Sequence, residues 1–282
     1  PRTPRHVRRR IVSLDVRALP AALFGSAAAE RARVTGWHRA IATELPTTRR
    51  IGFISLAPGT GTSTLAHRVT GILASRRSEP ILAVDLSSGA RSLGARLGAD
   101  PTSPDDTRAG ARTSADARTG LPSGDGWFAV RPAPHDATDA EEPAAAESWL
   151  SEVAPIARFF EVTVTDFGVR HPLVDLATCA ALCDVVCLVA DAGRTATELA
   201  RAVAPAIVSL PERPGVVLAL VDHARAGDAV ARAVDGDPAV TVAIPFDGGL
   251  QADAAPRTRP AERALLRLTA ALMAASASEV AA

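Results

Sequence analysis

Glycines, hydroxyls and carboxylates recur in this sequence where phosphate chemistry would need them. The segment Ala57-Pro58-Gly59-Thr60-Gly61-Thr62-Ser63-Thr64 follows a short apolar run and precedes an amphipathic one. Gly59 and Gly61 let backbone N–H groups converge on an anion, a helix starting there adds its partial positive charge, and the Ser63 hydroxyl could reach a Mg2+ ion on the same phosphates. Asp85 and Asp166 close two further apolar runs, and Ile244-Pro245-Phe246-Asp247 closes another. One feature opposes this chemistry. A phosphate-binding loop of this type carries Lys before the hydroxyl, and here that residue is Thr62, which cannot place a point charge on the β- and γ-phosphates. Thr62 to Thr64 would equally serve as a helix cap, and Asp85 and Asp166 as caps of turns at strand ends.

These residues need a scaffold that gathers them. Ile51 to Leu56 reads as a buried strand, and Leu65, Val69, Ile72 and Leu73 as the apolar face of a helix. Ile81 to Val84 is then a second strand, ended by Asp85. Strand, glycine-bearing turn, helix and parallel strand form a right-handed βαβ unit. Residues 100–126 hold Leu121 as their only large apolar residue, so a mobile insertion is expected there, with a second at 132–145 and a short strand, Trp127 to Arg131, between them. Alternation then resumes. Helices near 148–158, 173–182, 195–210, 226–234 and 261–274 separate the strands Phe160 to Thr165, Val185 to Ala190, Val216 to Val221 and Val240 to Ile244. Strands apolar throughout and separated by helices predict an α/β fold, a doubly wound, mostly parallel sheet with helices on both faces. Such sheets bind ligands beyond the carboxyl ends of their strands, where the glycine turn, Asp85 and Asp166 all fall. Residues 1–47 read as a basic, helical extension, and residues 48–282 as the sheet domain.

The run Arg49-Arg50-Ile51-Gly52-Phe53-Ile54-Ser55-Leu56-Ala57-Pro58-Gly59-Thr60-Gly61-Thr62-Ser63-Thr64-Leu65, with Ile81-Leu82-Ala83-Val84-Asp85 one helix later, resembles the MinD/ParA deviant Walker A P-loop ATPases. It is most similar to the MinD-like proteins associated with actinobacterial type VII secretion, and the resemblance extends over roughly residues 49–275. It implies ATP with Mg2+ as cofactor. Gly59, Thr60, Gly61, Thr62, Ser63 and Thr64 match the phosphate loop, with Ser63 the magnesium-binding hydroxyl. Asp85 matches the acid that positions attacking water and joins Ser63 and Asp166 as the expected Mg2+ contacts, Asp166 matches the Walker B acid that supports Mg2+, and Pro245 and Asp247 match the turn lying against the adenine.

The departures from that pattern bear on activity. Thr62 replaces the P-loop Lys, Ala57 replaces the signature Lys that crosses a dimer to the partner's nucleotide, Pro58 stands at a Gly position and Ser87 at the second acid. Phosphoryl transfer is mainly positioning and charge neutralisation, and one preorganised charge contact is commonly worth on the order of 3 kcal/mol in a transition state. The expectation is therefore a degenerate member, a pseudo-ATPase with nucleotide and Mg2+ binding weakened or lost and without ATP-driven dimerisation. It would act as a regulatory or scaffolding component with protein partners of a type VII secretion or positioning system. The alternative is an active ATPase whose charge comes from a partner or from an arginine, Arg170 and Arg194 being on the appropriate side of the sheet.

Composition narrows the remaining classes. All 31 basic side chains other than His are Arg, there is no Lys, and 31 acids balance them to zero net charge, which argues against a specific nucleic-acid binder. The missing Lys, Asn and Tyr fit GC-rich coding sequence. No apolar run reaches the roughly 20 residues that span a bilayer, and no signal peptide is expected, so a cytoplasmic protein is predicted, with the inner membrane face as a peripheral location. The absence of a starting Met suggests a trimmed or partial chain. Arg2, Arg5, Arg8, Arg9 and Arg10 form a basic end read as a solvated tail rather than a lipid contact. Leu265, Leu268 and Leu272 share one face of the last helix, read as core packing rather than membrane targeting, and Trp37 is expected to pin the extension to the sheet domain. Cys179, Cys183 and Cys187 sit among apolar residues and read as buried thiols, so neither zinc nor a redox cofactor is expected.

Overall fold

The computed structural model describes residues 19–87, 89–100, 106–132, 143–232 and 239–277. The basic end and most of the stretch 132–145 lie outside them. The chain runs α1 (Leu19–Ala42), β1 (Arg49–Ser55), α2 (Thr62–Ala74), β2 (Ile81–Asp85), α3 (Leu93–Leu97), α4 (Asp106–Ala109), α5 (Ser114–Arg118), β3 (Ser123–Gly124) and β4 (Trp127–Val130). It continues through α6 (Ala146–Ser148), a π-helical turn (Trp149–Val153), α7 (Ala154–Ala157), β5 (Val162–Val169), α8 (Leu176–Ala181), β6 (Val185–Asp191) and α9 (Arg194–Val208). Last come β7 (Gly215–Val221), α10 (Asp228–Arg232), β8 (Val240–Ile244), α11 (Gly248–Gln251) and α12 (Arg259–Ala277). The sheet order is β3-β4-β2-β5-β1-β6-β7-β8, and β3 alone among these strands is antiparallel to its neighbour.

Alternation along the strands builds a core on each side of this sheet. Val185, Cys187 and Val189 of β6 join Ile51 and Phe53 of β1 beneath α2 and α12, while Val186 and Leu188 join Ile54 beneath the opposite layer, where Trp149, Val153 and Ile156 lie. Leu265, Leu268 and Leu272 of α12 are all buried in the first core. α1 packs along α12, with Ile41 fully buried and Trp37 half-buried against the same core. No helix among the described residues is long and apolar enough to cross a membrane.

Within the expected insertion at 100–126, residues 106–124 hold α4, α5 and β3. Thr113 and Asp116 form a reciprocal capping box at the start of α5, and Ala111, Ala117 and Leu121 are buried. Arg158 donates to the Ala111 carbonyl at 2.9 Å and so ties the segment to the end of α7. A count of large apolar residues overlooked small ones that pack closely. A smaller departure lies at Pro155, which has no N–H to give the carbonyl of Ser151, and the preceding turn widens to a π-helix.

Candidate functional site

The chain leaves β1 through Leu56 to Gly61 and enters α2 over a cleft of about 680 Å3. Gly59 and Gly61 have φ of +75° and +89°, a region that strains any other residue. Gly61 caps α2, and no side chain accepts from the first turn of that helix, so its leading N–H groups stay available to an anion. Thr62 and Ser63 therefore do not act as the cap that their types would allow. The Thr62 hydroxyl lies 2.9 Å from that of Thr60, both residues are buried, and the position where a cation would reach phosphate is closed on a neutral pair.

Ser63 and Ser87 line the cleft, and Asp166 is fully buried behind them. Asp166 accepts from the Ser63 hydroxyl, from the Ser87 hydroxyl at 3.0 Å and from the Gly168 N–H at 3.0 Å. A bulge in β5 sets this geometry. Phe53 of β1 pairs with Asp166 and Ile54 with Gly168, so Phe167 is skipped. Gly168 has φ +69°, and a Cβ there would lie 2.8 Å from the Cβ of Ser87, so glycine alone permits the approach. Burial first, and then the charge of Asp85, push the Asp166 carboxyl well above its usual range, against the opposing effect of its hydrogen bonds.

Asp85 is held away from the cleft. Its Oδ2 accepts the Gly94 N–H at 2.8 Å and lies 3.4 Å from Arg131 Nε, while its Oδ1 accepts from the Ser87 N–H and, at 2.8 Å, from the Ser87 hydroxyl. A hydroxyl has one proton to give. When Ser87 donates it to Asp85, a neutral Asp166 can in turn donate to Ser87, which accords with the raised affinity of Asp166 for its proton.

The far wall comes from the ends of β7 and β8. Pro245 and Asp247 both line the cleft. The Asp247 carboxylate, however, is filled by the N–H groups of Gly249, Leu250, Arg257 and Thr258 and by the Thr258 hydroxyl. Burial works against the ionised form, but these bonds outweigh it and hold the group at about 2. Asp247 shapes the turn and offers a ligand only its backbone. His223, which the sequence reading passed over, faces the loop: its Cε1 would stand 3.7 Å from a Cβ on Gly61, and its buried Nε2 has no partner among the described residues.

The two arginines expected near the cleft do not enter it. Arg170 is buried, donates to the carbonyls of Phe167, Leu86 and Ala144 and pairs with Asp175 at 3.0 Å. Arg194 is exposed at the start of α9 and pairs with Glu198. The cations lining the cleft are instead Arg91 and Arg96, of which Arg96 is paired with Asp253. The signal for Arg91 was its place just beyond the carboxyl end of β2, six residues after Asp85.

The cradle thus fits the phosphates of a nucleotide by shape and by its free N–H groups, and Ser63 with Asp166 fits a magnesium ion. Beside this cradle, positions 57 and 62 hold Ala and Thr, and the arginines that line the cleft are Arg91 and Arg96.

No protein-family model matches this sequence, and no curated protein matches it. Solved structures share its fold. A ParA family ATPase from Chlorobium tepidum is 19% identical, with 79% of this chain and 98% of that one covered and a TM-score of 0.56. A MinC:MinD cell division complex from Aquifex aeolicus gives 16%, 80%, 96% and 0.58. The septum site-determining protein MinD complexed with Mg-ADP from Pyrococcus horikoshii gives 17%, 79%, 94% and 0.54. At such identities the likeness shows the fold, and that fold is the mostly parallel MinD/ParA P-loop architecture.

Proposed function

We propose that this chain is a MinD/ParA-type P-loop protein that holds nucleotide phosphates without turning them over and works as a regulatory or scaffolding component. The observation that carries this reading is the pairing of a retained cradle with a neutralised one. The α2 N-terminus and the Ser63–Asp166 pair are intact, while Thr62 spends its hydroxyl on Thr60. In this reading Gly59 to Ser63 orient the phosphates through backbone N–H groups. Asp166 supports magnesium behind Ser63, and Pro245 with His223 walls the base side. ATP, when bound, would supply a γ-phosphate whose presence the loop reports, and no residue at position 57 or 62 stabilises its transfer. Ala57 leaves nothing to reach a second subunit's nucleotide, so ATP does not drive dimerisation.

The resemblance at residues 49–65 supports partners in a type VII secretion or positioning system on the cytoplasmic side of the membrane. The MinC:MinD complex among the similar structures supports a protein as partner. Titration calorimetry with Mg-ATP and Mg-ADP, run beside a phosphate-release assay, tests the core claim. Saturable heat with no release agrees with it. Release that Asp166→Ala abolishes overturns it, and so does the absence of any heat. A second reading, an active ATPase, is favoured by one observation: Arg91 lines the cleft and is exposed, with no ion pair among the described residues. Phosphate release lost in Arg91→Ala with nucleotide binding retained would select it.

A further inference from the structure

Two arginines line the cleft, and Arg96 of α3 pairs there with Asp253, which lines the same cleft from just beyond α11. Thr64 and Leu65 of α2 face the cleft as well, and one turn further along α2 the Arg68 Nη2 donates to the Asp253 carbonyl at 3.0 Å. Arg96 donates through Nε to the Arg91 carbonyl at 2.7 Å and through Nη1 to the Asp253 Oδ1, which leaves Nη2 accessible and without a partner among the described residues. The fork of Arg96 is therefore half taken. At this rim Arg68, Arg91 and Arg96 stand against the single carboxylate of Asp253. His67 adds no charge at neutral pH, since burial first and then Arg68 and Arg96 push it down to about 4 against the opposing effect of Asp253.

A guanidinium grips a phosphate best through two parallel N–H groups. While Asp253 holds Nη1, an anion in the cleft reaches Nη2 alone and meets the Asp253 charge beside it. A polyphosphate carries more charge than one carboxylate, and the Asp253 side chain, 31% exposed, has water to turn to. Its backbone need not follow. Arg68 holds the Asp253 carbonyl, and the N–H groups of Asp253 and Ala254 close the end of α11 on the carbonyls of Leu250 at 3.3 Å and Gly249 at 2.8 Å, with Asp253 at φ +56°. We propose that Asp253 is a resident counterion that competes with a polyphosphate for Arg96. Arg96 is then an anion-binding residue of the cleft, and its exchange from carboxylate to phosphate sets the concentration at which the cleft fills. The inference rests on the nucleotide reading of the cleft and adds its regulation.

The test is titration calorimetry at low ionic strength, with inorganic triphosphate and separately with Mg-ATP, on the full chain as wild type, Asp253→Asn, Arg96→Met and the double variant. Asn adopts the same left-handed backbone, so Asp253→Asn removes the charge and little else. It should tighten triphosphate about fivefold, the worth of one partly exposed ion pair. Arg96→Met should weaken triphosphate, and adding Asp253→Asn to it should change nothing further. Equal tightening by Asp253→Asn with and without Arg96 means plain charge repulsion and overturns the exchange. Weaker binding in Asp253→Asn means that the acid only positions Arg96 and overturns it too, as does the absence of triphosphate binding in both wild type and Asp253→Asn. Mg-ATP separates the two readings. The expected triphosphate pattern without Mg-ATP heat supports the exchange and overturns the nucleotide reading, whereas Mg-ATP binding equal in wild type and Asp253→Asn overturns the exchange alone. Near-UV circular dichroism checks the fold of each variant, and Arg96→Gln replaces Arg96→Met if the latter does not fold.

Discussion

Replacing Asp166 by Asn should make the protein's stability less sensitive to pH, and the sign and size follow from where Asp166 sits. The carboxyl is fully buried, faces Asp85 across Ser87, and titrates at about 6 in the folded chain against 3.8 in an ordinary carboxyl. Between those values the folded state keeps a proton that the unfolded chain has released, so stability is fully present below about pH 4 and is lost as pH rises through 6. A shift of this size corresponds to a loss on the order of 3 kcal/mol once the pH is well above 6. Asn keeps the shape and never ionises, so the variant should escape that loss whatever fixed cost its amide brings to Ser63 and Ser87. Urea unfolding of both proteins at half-unit steps from pH 4 to pH 8, with chelator present, gives a difference curve that isolates Asp166 and its coupling to Asp85. Wild type should lose stability relative to the variant across pH 4 to 7 and level off above. A flat difference, or one rising in favour of wild type, would refute the burial and Asp85 argument. Adding Mg2+ at pH 7.5 should recover part of the loss in wild type alone, since the ion replaces the proton as the neutralising charge.

Thr62→Lys should tighten Mg-ATP binding by at least about tenfold in calorimetry, because an ammonium then faces the phosphates in place of the Thr60–Thr62 hydroxyl pair; unchanged affinity would mean that the loop geometry, not charge, limits binding. Gly52→Ala puts a Cβ 2.4 Å from Cys183 Sγ and 2.9 Å from Phe167 Cε2, and should cost about 1–3 kcal/mol in urea unfolding, with much of it restored by adding Cys183→Ala. Arg170→Met strips three carbonyls and Asp175 of their donor and should cost about 3 kcal/mol while leaving nucleotide titration unchanged, which an arginine acting in the cleft would not do. Burial pushes the Cys179 thiol up to about 11 and raises Cys183 and Cys187 as well, so an aromatic disulfide reagent at pH 8 should label none of the three until denaturant is added.

How far the site was legible follows from how local each cause is. The strands at Ile51, Ile81, Val185 and Val216 announce themselves because a strand buried on both faces must be apolar at every position. The glycine turn is legible because φ of +75° and +89° leaves few other residues. The elements within 106–124 are harder to read, because they rest on Ala111, Ala117 and a capping box, features whose worth depends on a distant partner such as Arg158. The roles of individual acids were hidden for the same reason. Asp85, Asp166 and Asp247 are alike in sequence, each following an apolar run, yet one is tied to Gly94 and Arg131, one stands behind two hydroxyls, and one is filled by backbone donors.

Those differences also constrain what the cleft can do. A site that hydrolyses a phosphoanhydride needs acids free to hold metal and water, and cations free to meet charge as it develops. Among the acids of these strands, Asp166 is the one that both the Ser63 and the Ser87 hydroxyls reach, and burial first and the charge of Asp85 second make it keep its proton up to about pH 6. In the proposed reading a metal ion at Ser63 would have to displace that proton below about pH 6, so its binding would be coupled to pH in a way that a fully ionised acid would not impose. In the proposed reading the neutral residues at positions 57 and 62 and, below about pH 6, the proton on Asp166 act in the same direction, since each would lower the affinity of the cradle for Mg-ATP. In that reading the cradle responds to a change in conditions rather than cycling under constant ones.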